Sequence, residues 1–333
     1  MRLTRWMLAA LCALALNNAA TAQTPVKIRV AWVAPLANWS SILLEKKDLA
    51  THLGKSYVME PVRFAGTPTM ITALANNELE IADLAYSSLA LAIQNAGIDD
   101  LRVIADDFRD GVPGYYSQEY FVLKDGPIKT VADLKGKVIA TNVVGSAVDV
   151  ATRAMLRKSG LEDKRDFTVI EAPFPTMRPM LAEKKADLIP GVLPFSYDPE
   201  LRRIATPLFK QSDAIGVTQM IVWAARKSFL DKNRAAMVDF MEDMLRIVHW
   251  YLDPANHKEA TEIAARLTKQ PAERFNWLFT KDDCYRDPNM LPDLDALQRN
   301  VDMTRDLGFV KSSLDVKKYS DLTIVAEAAK RLK

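Results

Sequence analysis

This 333-residue chain predicts an α/β protein built as two open-sheet lobes, and three observations carry the prediction. Short apolar strand-like runs alternate with helical runs from Val26 to Ala224. A turn-rich patch, Asp110-Gly111-Val112-Pro113-Gly114, divides that stretch in two. One motif recurs on either side of the patch. Alternation of this kind places parallel strands in a sheet covered by helices, and a glycine–proline cluster is a natural crossing between units.

In order, Val26–Trp32 predicts a strand and Ser40–Leu53 a helix ending at Gly54. Tyr57–Phe64 is a second strand, and Pro68–Asn76 a helix after the Gly66-Thr67 turn. Glu80–Ala85 is a third strand, Ser87–Ala96 a helix closed by Gly97, and Leu101–Ala105 a fourth strand. Beyond the patch, Gln118–Leu123, Val138–Ala140, Thr168–Ile170 and Ala186–Ile189 predict strands with helices between them. Val217–Ala224 predicts one more strand, a return crossing. From Ser228 onward apolar residues keep helical spacing over Arg234–Leu252, Glu259–Thr268, Ala272–Phe279, Leu294–Leu307 and Leu322–Leu332.

The recurring motif is Phe64-Ala65-Gly66-Thr67-Pro68-Thr69-Met70, a helix, then Ile81-Ala82-Asp83-Leu84. Its echo is Ala172-Pro173-Phe174-Pro175-Thr176-Met177, a helix, then Lys185-Ala186-Asp187-Leu188-Ile189. The copies end at Tyr86-Ser87-Ser88 and at Pro190-Gly191-Val192. In open α/β sheets such loops lie at the carboxyl ends of strands, where ligands bind.

Val131–Ser146 reads as strand, glycine–hydroxyl loop and helix start. Gly145 and Ser146 precede the apolar helical run Ala147–Lys158. Free N–H groups beside a hydroxyl at a helix N-terminus suit a small anion or polar head group; an ordinary serine N-cap needs the same residues. No Gly-Lys-Ser/Thr follows and no GxGxxG is present, so neither a P-loop nor a dinucleotide site is indicated.

At the N-terminus, Arg2 and Arg5 precede the apolar run Trp6–Leu16, and Ala20-Thr21-Ala22 forms a small-x-small cleavage site before Gln23. This predicts a signal peptide over residues 1–22, cleaved after Ala22, with an apolar core short for a membrane anchor. Leu11 before Cys12 is too large for the usual lipobox. Cleavage would leave 42 of the 44 basic residues against 42 acidic ones. A balanced chain offers no attraction to nucleic acid or an anionic membrane. Cys284 would be the single thiol, with no disulfide, and the carboxylates of Asp282 and Asp283 should raise its pKa and leave it inert. His52, His249 and His257 are scattered, and HExxH, GxSxG and CxxC are missing. Neither a zinc hydrolase nor a serine nucleophile elbow has support, and no metal or other cofactor is called for.

The exported start, Asn77-Glu78-Leu79-Glu80-Ile81-Ala82-Asp83-Leu84, Asp133-Leu134-Lys135-Gly136-Lys137, the Gly145-Ser146 helix start and Tyr197-Asp198-Pro199 together form an ordered set. In that order they resemble the solute-binding proteins of ABC importers for alkanesulfonates, taurine and nitrate, grouped with thiamine-precursor binding proteins. The resemblance covers nearly all of the mature chain. It implies a type II periplasmic-binding fold: two α/β lobes joined by two crossing strands, with a ligand cleft between them. Lobe I would comprise 23–112 and 222–333, including the C-terminal helices, and lobe II 113–221. It also implies a periplasmic monomer whose partners are a small ligand and a membrane permease. Two departures touch the cleft: the loop Ala85-Tyr86-Ser87-Ser88, where relatives often carry glycine, threonine or aspartate, and Ala147-Val148-Asp149, where many carry threonine and a nearby histidine.

Candidate ligand-binding residues follow from the loops. Leu36, Asn38 and Trp39 lie in the Pro35–Trp39 loop, Trp39 as a flat wall or as core. Thr67, Tyr86, Ser87 and Ser88 come from lobe I, and Gly145, Ser146, Phe174, Gly191 and Val192 from lobe II, with Tyr197 as further aromatic surface. Arg63, Arg109 and Arg178 sit near loop positions, either as anion partners or as solvated surface. Helix N-termini and hydroxyls suit an oxyanion, and aromatic side chains favour an organic body over nitrate. The expected ligand is a small organic anion, an alkane- or arylsulfonate or an aromatic carboxylate. Alternatives are a pyrimidine thiamine precursor or nitrate and, in other classes, an exported enzyme or the ligand-loaded partner of a sensor.

Overall fold

The computed structural model describes residues 24–332; the expected signal segment, its cleavage site and Cys12 lie outside them. Strand β1 (Val26–Trp32) carries a β-branched residue at Val26, Ile28 and Val30, which suits a pleated surface. It pairs in parallel with β2 (Tyr57–Arg63) along its full length, from Val26 opposite Tyr57 to Trp32 opposite Arg63. On its other side lies β3 (Ile81–Ala85), also parallel. Strand β4 (Leu101–Asp110) completes this sheet at the far edge. Between β3 and β4, antiparallel to both, runs β10 (Thr218–Arg226), which returns from the second half of the chain.

The second lobe is laid out the same way. β5 (Glu119–Leu123) is flanked, antiparallel, by β8 (Ile189–Gly191) and β9 (Ala205–Lys210). β6 (Val138–Thr141) and β7 (Thr168–Glu171) form a parallel pair, and a parallel bridge from Ile139 to Leu188 sets that pair beside β8. The resulting order, β7-β6-β8-β5-β9, matches the first sheet's β2-β1-β3-β10-β4 position for position. The repeated motif occupies the same link in each lobe. It leads from β2 through helix α1 (Met70–Ala75) to β3, and from β7 through α4 (Phe174–Ala182) to β8, with α2 (Tyr86–Gln94) and α3 (Ala147–Lys158) between. Successive β5 residues face opposite cores: Tyr120 and Val122 pack with Ile139 and Phe167, whereas Phe121 packs with Met177 and Leu181. Both faces of the sheet are therefore covered, the pattern expected of α/β layers.

Several local expectations are corrected. Ser40–Leu53 is not an α-helix but two 3₁₀ segments, Trp39–Ser41 and Leu43–Leu49, the latter broken at Lys46. Side chains there compete with the helical ladder. Ser40 Oγ donates to Ala31 O at 2.8 Å, and Ser41 Oγ donates to Asn38 O while accepting from Leu36 N–H. Ala272–Phe279 is helical only over Ala272–Phe275, because the Asp283 carboxylate takes the Phe279 N–H at 3.0 Å. Tyr86–Ser88 is the first turn of α2 rather than a loop, and Pro190 and Gly191 belong to β8. β4 runs five residues past Ala105, to Asp110. β9 has no alternating pattern to announce it; its Pro207 fits an edge strand.

Among the C-terminal elements, α8 (Arg234–Leu252) matches its periodicity and packs against α11 (Thr323–Arg331). α10 (Leu294–Asp306) covers α2 and β10. The largest hydrophobic cluster fills the first lobe and continues into Ala147, Val148, Val150, Val192 and Leu193 of the second. The lobes thus meet through apolar side chains as well as through the chain crossings. No described helix is long and apolar enough to cross a membrane.

Candidate ligand-binding site

A cavity of about 50 Å³ lies where the carboxyl ends of β1 and β3 face the start of α3. Val33, Ala34, Ala37, Asn38 and Thr67 form one wall, and Asn142, Ser146, Ala147, Val148, Phe174 and Val192 the other. Ala85, Phe108, Met220 and Ile221 complete it, the last three from β4 and β10. Its polar groups are two amides and two hydroxyls, and no charged residue lines it.

Of the residues expected to bind ligand, the structure gathers Asn38, Thr67, Ser146, Phe174 and Val192 around this one space. Asn38 Oδ1 accepts from the Val33 and Ala34 N–H groups at 3.1 and 3.0 Å, and its Nδ2 donates to Asp107 at 2.6 Å. The amide therefore holds its own loop and presents what remains to the cavity. Thr67 and Ser88 share one hydrogen bond at 2.7 Å, which leaves one of their two hydroxyl hydrogens to spare. Ser146 caps α3, accepting from Asp149 N–H and donating to Asn142 Oδ1 at 2.8 Å. At the first turn of α3 the N–H groups of Ala147 and Val148 have no intrahelical acceptor.

The other candidates act elsewhere. Trp39 is core, not wall: it is fully buried and stacked on Phe279 at 5.2 Å, with the Arg286 guanidinium 4.5 Å from its ring centre. Leu36 is fully buried too, with φ of 66°. Tyr86 and Ser87 reach across the cleft, donating to Ala147 O at 3.0 Å and Gly145 O at 2.8 Å. Those hydroxyls bind the opposite lobe rather than the cavity. Gly145 gives its N–H to Asp149 at 2.9 Å. A Cβ at Gly191 would run into the Phe121 ring, so that glycine serves the packing of β8 on β5. Tyr197 donates to Asp282 O at 3.0 Å and stacks on Trp277.

Sequence reasoning placed Ala147 and Val148 at the cleft and Ala37 in a ligand loop but passed over Val33, Ala34 and Asn142. Val33 and Ala34 immediately precede the Pro35–Trp39 loop, so adjacency was a usable signal there. Phe108, Met220 and Ile221 had none. They arrive through the pairing of β4 with β10, which sets Ile221 opposite Phe108.

Beneath the wall formed by residues 33–39 lies a buried charge cluster. Asp107 accepts from Asn38 and, at 2.8 Å, from Trp39 N–H. Arg286 donates to Leu36 O and Ala37 O at 3.1 and 2.8 Å. Burial, and then the neighbouring Asp107 charge, push Asp83 well above the usual carboxylate range. Burial, helped by the neighbouring Asp107 charge, pushes Asp106 to about 7 against the pull of Arg109 and Gln219. Cys284 is a free, buried thiol, raised well above its ordinary value by burial first and by nearby carboxylates second. The direction is the one expected, and no histidine or cysteine lines the cavity. His52, Asp239 and Glu242 form the one metal-like cluster among the described residues. Arg331 already pairs with Asp239 at 2.8 Å and Arg246 with Glu242 at 2.6 Å, and those charges oppose a cation there.

Residues 21–265 match the sequence model of the NMT1-like family. The chain belongs to the NMT1-like family. No curated protein matches it by sequence. Solved structures share the fold of this NMT1-like chain. The alkanesulfonate-binding protein SsuA of Xanthomonas axonopodis pv. citri, bound to MOPS, superposes with a TM-score of 0.71 at 18% identity, covering 90% of this chain and 99% of that one. The periplasmic nitrate-binding protein NrtA of Synechocystis PCC 6803 gives 0.71 at 15%, covering 93% and 89%. The desulfurization enzyme DSZB gives 0.64 at 12%, covering 92% and 100%. These likenesses establish that the NMT1-like chain has the two-lobed fold of periplasmic binding proteins, a fold that also hosts an enzyme.

Proposed function

We propose that this NMT1-like protein is an extracytoplasmic solute-binding protein, capturing a small organic anion between its lobes and presenting it to the permease of an ABC importer. The observation that carries this reading is the position of the cavity. It sits at strand ends and helix starts of both lobes, and the lobes touch directly around it through Tyr86–Ala147, Ser87–Gly145 and Asn142–Ala65. A ligand bridging two lobes that move about a hinge shifts them toward closure by as much as it binds the closed form better.

The hinge is proposed at the two crossings, residues 111–118 and 211–217. The pairing of Thr218 in β10 with Asp110 supports a return a few residues before 221/222. The spare hydroxyl hydrogen of the Thr67–Ser88 pair and the first N–H groups of α3 supply neutral donors, and Phe174 and Val192 an apolar body contact. Periplasmic export rests on the sequence of residues 1–22. The binding reading stands ahead of the enzyme reading because no histidine, cysteine or carboxylate lines the cavity to activate its two hydroxyls, Thr67 and Ser146.

Thermal unfolding of residues 23–333 against sulfonates, aromatic carboxylates, nitrate and pyrimidines tests the proposal. A ligand at a hundred times its dissociation constant adds about 2.7 kcal/mol to the folded state. A melting shift confined to organic anions is the expected outcome. A shift with nitrate or a pyrimidine alone would reassign the ligand, and turnover of a bound compound would replace binding with catalysis.

A further inference from the structure

The ligand's charged end and its apolar end belong in different compartments. The cavity at the lobe interface holds about 50 Å³, room for only a few heavy atoms when a water molecule takes about 30 Å³ of liquid. A second space, a groove of about 890 Å³, is lined in part by chain neighbours of the cavity residues. The two spaces share their walls in sequence: Ala34, Phe174 and Val192 line the inner one, and Pro35, Pro175 and Pro194 line the outer.

Charge divides the same way. The inner cavity has no cationic side chain, and the first turn of α3 already carries a carboxylate. Asp149 accepts the Gly145 N–H at 2.9 Å and pairs with Arg153 at 2.9 Å. That carboxylate answers the positive field at the helix start, where an incoming anion would meet a like charge. The groove holds Arg63, Arg178 and Arg274 together with the carboxylates of Asp198 and Glu200, the latter paired with Arg203 at 3.0 Å. Arg178 and Arg274 both sit on Asp198, at 3.0 and 3.1 Å. Arg63 has no carboxylate partner among the described residues and lies over the Trp32 ring, 5.3 Å from its centre. Trp32 is the register partner of Arg63, and the cavity-lining residues Val33 and Ala34 follow it. Trp32, which lines the groove, is thus directly followed in the chain by two residues that line the cavity.

Resting on the solute-binding reading, we propose that Arg63 is the charge-recognising residue of an outer subsite. It binds the terminal oxyanion of an amphipathic organic acid whose apolar end fills the inner cavity. The planar guanidinium suits a sulfonate or a carboxylate, and the Trp32 face holds it in place. The ligand class becomes an elongated, single-ended acid rather than a compact anion such as nitrate.

Calorimetric titration with 1-hexanesulfonate and with neutral 1-hexanol tests this on the mature chain. Arg63→Gln should weaken hexanesulfonate binding about tenfold or more and remove most of its salt dependence. Hexanol binding should be the same in both proteins, and Arg63→Lys should recover part of the loss. Arg63 is exposed, so the variant keeps its core. Hexanesulfonate binding to Arg63→Gln within about twofold of wild type overturns the subsite, since a charge-assisted contact would be gone without effect. So does wild-type protein that binds hexanol as well as the sulfonate. A filled cavity, Val148→Trp, and the milder Phe174→Ala separate this failure from the larger one. If they abolish hexanesulfonate binding while Arg63→Gln does not, the interlobe site stands and the outer subsite falls. If both retain it, the interlobe reading itself falls.

Discussion

The two walls of the cavity are held in opposite ways. The wall of residues 33–39 is anchored from within its own lobe. Asp107 fixes Asn38 and Trp39, Arg286 clamps the Leu36 and Ala37 carbonyls, and Ser41 ties Leu36 back to Asn38. The facing wall, residues 142–148, takes much of its support from the other lobe: Tyr86, Ser87 and Ala65 bond to Ala147, Gly145 and Asn142. A Cβ on Gly66 would come within 2.6 Å of the Val143 side chain, which shows how closely the Gly66 backbone meets the facing wall. Separating the lobes would leave the first wall unchanged and strip the second of these partners. A binding protein built this way has one preformed face and one that is completed by closure.

The comparison breaks most sharply at Asp107. Its loss leaves the buried Asn38 Nδ2 and the Trp39 N–H without their acceptor, and each unsatisfied buried donor costs about 1–3 kcal/mol. Asp107→Ala should therefore lower the urea midpoint severely. A loss under about 1 kcal/mol would mean that the first wall is not anchored as described.

The adjacent buried carboxylate, Asp106, which accepts from Gln219 and the Asp287 N–H, has a pH signature. Burial holds Asp106 at about 7, so the folded chain keeps a proton that the unfolded chain releases near the ordinary carboxylate value. This group's stabilisation is complete in acid and is lost as pH rises from about 4 through 7, by at most about 1.4 kcal/mol per pH unit. Asp106→Asn should flatten the fall in stability between pH 5 and pH 8. An unchanged slope would remove Asp106 from the account.

The smallest effect belongs to the second wall. Ser87→Ala and Tyr86→Phe each delete one hydrogen bond, worth about 1 kcal/mol. The double variant should shift the ligand-free protein toward open lobes, seen as a larger radius of gyration in X-ray scattering. A radius that changes only on unfolding would show that these bonds hold the fold rather than the hinge.

Much of the architecture was legible in the sequence, because strand and helix periodicities are written into neighbouring residues. β1, α3 and α8 fall where their apolar spacing places them, and the repeated Ala-Asp-Leu segments mark equivalent strands in two sheets of one order. The site was legible only in part. The spacing of residues 40–53 suggested an α-helix because pattern cannot show that Ser40 and Ser41 would turn their hydroxyls onto the backbone. Trp39 reads alike as wall or core until Phe279 and Arg286 arrive from far along the chain.

By itself, then, the sequence determined the α/β class, the pairing of two similar lobes, the candidate loops and the hydroxyl-capped start of α3. Each of these depends on residues within a few positions of one another. Tertiary structure alone decided which loops meet, that β4 and β10 contribute Phe108, Met220 and Ile221 to the cavity, and which arginine is left free. Arg109 finds Asp287 at 3.5 Å and Arg178 finds Asp198, while Arg63 finds only the face of Trp32. Partners so distant along the chain are brought together by packing, and packing leaves no trace in the spacing of neighbours.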